Sequence, residues 1–297
     1  MKSNFLIVGA PKCGTTAMWR YLNQHPDIFM SPRKDIHFFG RDLDFTKRDR
    51  FNLQEYDSFF TGCKQKAIGE ASVWYLYSKT AAQEIATYNP DMKIIIMVRD
   101  PIQLMYAHYT QLKLNGLGDE DISSFEDALK AEPYRKKGQR IPKHNSIPST
   151  LLYTKVASLS EQIQRYFDHF PCEQIHIIFQ EDMKLCMPEL YHKTLNFLGV
   201  DSDFTTNFSR VNSHKEIRSE GLRRMIGAIP QPLKKRLPNQ ARAHFRKLMR
   251  RFNTRHAQRS PLDPHLEQRL RHDFKDEICT LELLLQRDLT HWKAKEI

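Results

Sequence analysis

Short runs of apolar, β-branched residues recur along the chain at Phe5–Gly9, 67–70, Lys93–Val98 and 174–179. Each is the length of a strand rather than a helix. Between and after them, residues 15–25, 79–89, 102–115, 152–170 and 181–198 carry apolar positions at helical spacing, and Ser123-Ser124-Phe125-Glu126 reads as a capping box opening another helix. Strands alternating with helices predict an α/β domain with a mostly parallel central sheet flanked by crossover helices. From Leu262, the residues Leu266, Leu270, Phe274, Ile278, Leu281, Leu285, Leu289 and Trp292 recur every three or four positions. They predict one long amphipathic helix, a helical C-terminal region whose apolar stripe is core. Residues 218–259 mix basic pairs with Pro230, Pro232 and Pro238. Prolines break helices, so this stretch is expected to be a basic insertion of short helices within one domain spanning 1–297, rather than a second domain.

Composition narrows the class. The chain has 297 residues, 40% hydrophobic and 27% charged, as expected of a globular protein with a sizeable core. No apolar run approaches the ~18–20 residues that a membrane span requires. The expected location is cytoplasmic, since the first apolar run is short and leads directly into functional-looking sequence. The five cysteines, at 13, 63, 172, 186 and 279, show neither a disulfide framework nor metal-ligand spacing, so reduced thiols and no metal are expected. The net charge is +11, and residues 215–259, with 14 Lys/Arg against Glu216 and Glu220, carry +12, leaving the rest of the chain close to neutral. Such a segment suits an anionic partner or is a solvated helix face. Within it, Arg246, Lys247, Arg250 and Arg251 cluster on one face if the segment is helical.

The first strand runs into Gly9-Ala10-Pro11-Lys12-Cys13-Gly14-Thr15-Thr16 and then a helix. Unpaired amides at a helix start and the positive end of its dipole attract an anion, and Lys12 and two hydroxyls add donors. A Walker A loop would place its lysine after the second glycine, where this chain has Thr15. An ATPase or GTPase reading therefore loses ground, and the plain alternative is a tight turn whose lysine faces solvent. Cys13, at the helix start, is either a thiol with depressed pKa or, as the simpler reading, a small spacer.

At this point Pro11-Lys12-Cys13-Gly14-Thr15-Thr16-Ala17 resembles the 5′-phosphosulfate loop of sulfotransferases that use 3′-phosphoadenylyl sulfate. Lys34-Asp35-Ile36-His37-Phe38-Phe39 resembles the stretch carrying the catalytic acid in the heparan-type branch. Gly69-Glu70-Ala71-Ser72-Val73-Trp74-Tyr75-Leu76 resembles that branch's next strand and loop, and Ile94 to Pro101 its 3′-phosphate strand. Arg287-Asp288-Leu289-Thr290-His291-Trp292 resembles the C-terminal helix end of bacterial members. The resemblance spans nearly the whole chain. It implies a P-loop-like fold and transfer of a sulfuryl group from that nucleotide to a hydroxyl or amine acceptor.

Sulfuryl transfer needs an anion cradle, a cation near the leaving oxygen and a base for the acceptor proton. The loop and the resemblance together give Lys12 as the leaving-oxygen cation, with Pro11, Cys13, Gly14, Thr15 and Thr16 around the 5′-phosphate. Asp35 is the candidate base, one methylene shorter than the glutamate usual in the branch, with His37 orienting or replacing it if the segment is extended. The alternative is that Asp35 caps a turn and His37 packs. Arg99 ends a strand where open α/β sheets bind ligands, and its planar fork suits a phosphate. The serine that the family adds on the next helix is Ala107 here. Tyr106, His108, Tyr109, Arg218 or Arg259 are the candidates to compensate. Glu70, Ser72, Trp74 and Tyr75 either line the site or pack beside it, while Trp19 and Tyr21 are expected to pack. The acceptor remains open among glycan, glycolipid and small metabolite. No nucleic acid is expected, and peripheral membrane contact stays open. The rival functions are a kinase-like phosphotransferase and a non-catalytic binder of anionic polymers.

Overall fold

A computed structural model describes residues 2–46, 50–114, 119–143, 145–209 and 259–294, and the backbone of 215–217 and 254–256. The apolar runs become strands β1 (Phe5–Gly9), β3 (Ala67–Ala71), β4 (Lys93–Val98) and β5 (Ile175–Phe179). A further strand, β2 (Ile28–Met30), is too short to leave a pattern in the sequence. The five-stranded sheet runs β2-β3-β1-β4-β5 with every neighbouring pair parallel. Leu6 faces Glu70 on one side and Ile94 on the other. Phe5, Leu6, Ile7 and Val8 are all fully buried, because crossover helices cover both faces of a parallel sheet.

The flanking helices are α1 (Thr15–Leu22), α2 (Leu53–Ser58), α3 (Ala81–Tyr88), α4 (Pro101–Leu114), α5 (Phe125–Lys130) and α6 (Glu132–Arg135). They continue with α7 (Tyr153–Ala157), α8 (Leu159–Phe167), α9 (Asp182–Leu185) and α10 (Met187–Leu198). Near the C-terminus lie α11 (Pro264–Asp273) and α12 (Lys275–Leu285).

The expected helices divide where side chains or prolines intervene. Residues 152–170 split at Ser158, where the Gln162 amide donates to the carbonyls of Lys155, Val156 and Ser158 and so replaces helix donors. Residues 181–198 split at Cys186, because Pro188 in the first turn of α10 lacks the N–H that would continue α9. The single long C-terminal helix is corrected to α11 and α12, joined at Phe274 with φ −98° and ψ 10°. Its stripe is nonetheless core: Leu266, Leu270, Phe274, Ile278 and Leu281 are buried, and so are Leu289 and Trp292. The α5 cap is Ser124, bonded to the Asp127 amide, one residue beyond the expected box.

In the basic segment, residues 254–256 form a strand, β7 (Thr254–His256), where short helices were expected. It pairs antiparallel with β6 (Lys215–Ile217). Apart from these residues and Arg259, the segment 218–259 lies outside the described residues, Arg218, Arg246, Lys247, Arg250 and Arg251 included.

Chain order reverses between β1 and β4: β3 and β2 lie to one side of β1, and β4 and β5 to the other. Such a switch point opens a crevice at the carboxyl ends of the strands. The loops after β1, β3 and β4 enter it together.

Candidate active site

The loop after β1 turns through Lys12 at φ 65° and reaches Gly14 at φ 98°, the N-cap of α1. The amides of Ala17 and Met18 both donate to the Gly14 carbonyl. The first-turn amides of Thr15 and Thr16 therefore have no intrahelical acceptor and face the loop. A side chain at Gly14 is disfavoured by its left-handed φ, and a Cβ there would lie 2.7 Å from Met183 Sδ on α9, so that the methionine would have to shift. Cys13 is the spacer: it is buried, its Sγ donates to the Pro11 carbonyl, and burial pushes its thiol up to about 12.

Lys12 does not point freely into solvent. Its Nζ donates to Gln111 Oε1 at 2.9 Å, and Arg99 Nη1 donates to the Lys12 carbonyl at 3.2 Å. The Arg259 guanidinium lies over the Tyr106 ring, 5.8 Å from its centroid. Burial, then the charges of Arg259 and Arg99, and more weakly Lys34, bring the Lys12 ammonium down to about 8. Burial also lowers Arg99, and burial with Arg99 lowers Arg259 to about 10. Among the described residues, no carboxylate forms an ion pair with Lys12, Arg99 or Arg259. Cations gathered in a low-dielectric crevice without counter-charge are a site for a multiply charged anion.

At the position of the family serine, Ala107 is buried in α4. His108 cannot compensate: it is buried against the Thr150 carbonyl at 2.9 Å, and burial lowers its imidazole to about 4. Tyr109 is committed to the carbonyls of Ile122 and Ser123. Of the described candidates, Tyr106 and Arg259 are the pair at the cation cluster. Gln111 and Lys34 also belong to it and were not singled out in the sequence. Gln111 sits four residues beyond Ala107 and so on the same face of α4.

The Asp35 segment is not extended, which corrects the expectation that His37 would stand on the same side as Asp35. Both residues are left-handed, with φ 59° and 53°. The segment is strapped to the end of β3: the Asp35 amide donates to the Ala71 carbonyl at 2.8 Å, the His37 amide to Ser72 Oγ at 3.0 Å and the Phe38 amide to the Tyr75 hydroxyl at 2.8 Å. The His37 ring is buried beside Phe45 and Tyr75. The Asp35 carboxylate is 43% exposed and accepts from Lys34 Nζ at 3.1 Å. The Val73 amide, 3.4 Å away, also donates to it, so Asp35 does help to close a turn.

Glu70 is wholly buried, its Oε2 accepts from Ser72 Oγ at 2.7 Å, and burial raises its carboxyl to about 7. Tyr75 is buried, and Trp74 packs edge-on to His108. Tyr21 is buried and Trp19 lies against the core, as expected of packing residues.

The fold is a parallel α/β sheet whose switch-point crevice gathers cationic side chains. Residues 2–224 match the model of the sulfotransferase domain, and the chain belongs to that family. A sulfotransferase from Alicyclobacillus acidocaldarius superposes with a TM-score of 0.74 at 28% identity, covering 98% of this chain and 99% of that one. Mouse heparan sulfate glucosamine 3-O-sulfotransferase 5 is 26% identical over 174 residues, which is 58% of this chain and 46% of that protein. Mouse carbohydrate sulfotransferase 15 is 24% identical over 247 residues, 66% of this chain and 44% of that protein. The chain thus spans less than half the length of these curated relatives.

Proposed function

We propose that this sulfotransferase takes its sulfuryl group from 3′-phosphoadenylyl sulfate and delivers it to a hydroxyl or amine of a carbohydrate-containing acceptor. The observation that carries the donor is the cluster of Lys12, Arg99 and Arg259, half-buried together and without a paired carboxylate among the described residues, at the switch point of the sheet. A nucleotide bearing phosphate at both ends of its ribose supplies the charge this cluster lacks. The acceptor class rests on the glycan-directed relatives, with glycolipids and small metabolites as the alternatives.

In this reading the donor supplies an activated sulfuryl group, and the protein supplies position and charge. The amides of Thr15 and Thr16 hold the 5′-phosphate. Lys12 leaves Gln111 and donates to the bridging oxygen, which takes the electron pair as the sulfur–oxygen bond breaks. Asp35 removes the acceptor proton as the new bond forms. Arg99, with Arg259, meets the 3′-phosphate. His37 acts as a positioning residue, because its amide and ring fix the backbone beside Asp35.

Ligand-dependent thermal stabilisation tests the donor. A ligand at about 100 times its Kd adds about 2.7 kcal/mol of stability, so adenosine 3′,5′-bisphosphate is expected to outrank ATP and GTP at equal concentration. The reading is wrong if ATP or GTP stabilises the protein more. Radiolabelled sulfate transfer to N-desulfated and O-desulfated polysaccharides then tests the acceptor, and Lys12→Ala is expected to reduce turnover by about 10²–10³ while the protein stays folded.

A further inference from the structure

Asp100 follows Arg99 directly in the chain and acts on its charge through space, yet among the described residues its carboxylate forms its ion pair with Arg271 rather than with Arg99. Oδ1 accepts from the Ile102 amide at 2.9 Å and the Gln103 amide at 3.4 Å, capping α4. Oδ2 accepts from Arg271 Nη2 of α11 at 3.1 Å. The two side chains are largely buried, 16% exposed for Arg271 and 13% for Asp100. Arg271 is itself fixed on its other sides. Its Nε and Nη2 donate to Glu267 Oε1 at 3.2 and 2.6 Å, and its Nη1 donates to the Trp292 carbonyl at 2.5 Å.

We propose that Arg271 is a positioning residue of the nucleotide site: by holding the Asp100 carboxylate it keeps the Arg99 guanidinium available to the 3′-phosphate. This rests on the reading of Arg99 given above. A buried carboxylate that loses its cation takes the nearest one remaining. For Asp100 the cation its charge already acts on is its chain neighbour Arg99, whose only described hydrogen bond is the one to the Lys12 carbonyl. The resulting internal pair competes directly with the phosphate. The C-terminal helices, remote in sequence from the anion loop, thereby tune its charge.

Calorimetric titration with adenosine 3′,5′-bisphosphate and with adenosine 5′-phosphate tests this. Arg271→Met is expected to weaken the bisphosphate about tenfold, the order of one charged hydrogen bond, and to leave the 5′-phosphate nearly unchanged. Asp100→Asn still caps α4, so alone it keeps the wild-type preference, and combined with Arg271→Met it restores bisphosphate affinity. A residue that merely docks α11 would not be rescued by removing the Asp100 charge. Equal weakening of both nucleotides, wild-type affinity in Arg271→Met, or no rescue by Asp100→Asn each overturns the proposal. If Arg271→Met does not fold, Arg271→Lys keeps a charge but loses the fork. It is then expected to show a smaller selective loss with the same rescue, and absence of that pattern overturns the proposal equally. Arg99→Ala separates the two levels. If it fails to discriminate the nucleotides, the 3′-phosphate reading itself falls. If it discriminates while Arg271→Met behaves as wild type, only the role of Arg271 falls.

Discussion

Lys12 is held in a place that suits a ligand and strains the free protein. Burial and the neighbouring guanidinium groups bring its ammonium down to about 8. The folded free protein therefore binds fewer protons than the unfolded chain between about pH 8 and the ordinary lysine value. Its contribution costs stability below about pH 8, and that cost is relieved as pH rises toward 10.5. Lys12→Met is accordingly expected to melt a few degrees higher than wild type at neutral pH, with the advantage shrinking at alkaline pH in thermal unfolding. Binding of a phosphorylated nucleotide reverses the shift, because a dianion beside the ammonium favours its charged form. At about pH 8 the protein should take up a fraction of a proton on binding adenosine 3′,5′-bisphosphate. The calorimetric enthalpy will then depend on the ionisation enthalpy of the buffer, and the dependence should vanish in Lys12→Met.

At the scale of elements, the end of β3 organises the opposite wall of the crevice. Glu70 is buried with its carboxyl raised to about 7, and Ser72 joins it to the His37 amide. The folded state holds a proton that the unfolded chain releases above about pH 4.5, so this group's contribution to stability falls as pH rises from there to about 7. Glu70→Gln should therefore gain stability relative to wild type between about pH 5 and 7.5 in urea unfolding, and a constant difference would place the titration elsewhere. The strands that carry β3 and the anion loop were legible in the sequence because a parallel sheet buried on both faces writes itself as unbroken apolar runs. The helix splits at Ser158 and Cys186 were legible only at Pro188, since the Gln162 amide that caps α7 acts through geometry that periodicity does not encode. Lys12, Gly14 and Arg99 were readable because they sit at fixed offsets from strand ends. Gln111 and Arg271 were not, since they reach the site across 99 and 171 residues of chain.

At the scale of the molecule, the C-terminus fastens the edge of the sheet that carries the anion loop. Arg287 forms a two-pronged pair with Asp182, Nη1 to Oδ2 at 2.6 Å and Nη2 to Oδ1 at 2.7 Å, and lies 3.9 Å from the centroid of the Phe179 ring. Beside it, Glu181 Oε2 receives Trp292 Nε1 at 3.2 Å and contacts His291 Nε2 at 3.0 Å. Asp182 begins α9, whose Met183 sulfur covers Gly14 at the start of α1. Two-pronged guanidinium pairs exceed ordinary surface ion pairs because both hydrogen bonds are charged and the fork is rigid. Arg287 is about a third exposed, which screens part of that gain. Arg287→Ala is expected to cost about 1–2 kcal/mol in urea unfolding. It should also loosen Met183 over the loop, so that the amides of residues 13–16 exchange faster in hydrogen–deuterium exchange and bound adenosine 3′,5′-bisphosphate slows them again. Exchange in the loop identical to wild type would confine the effect of Arg287 to the sheet edge and separate the C-terminal lock from the anion site.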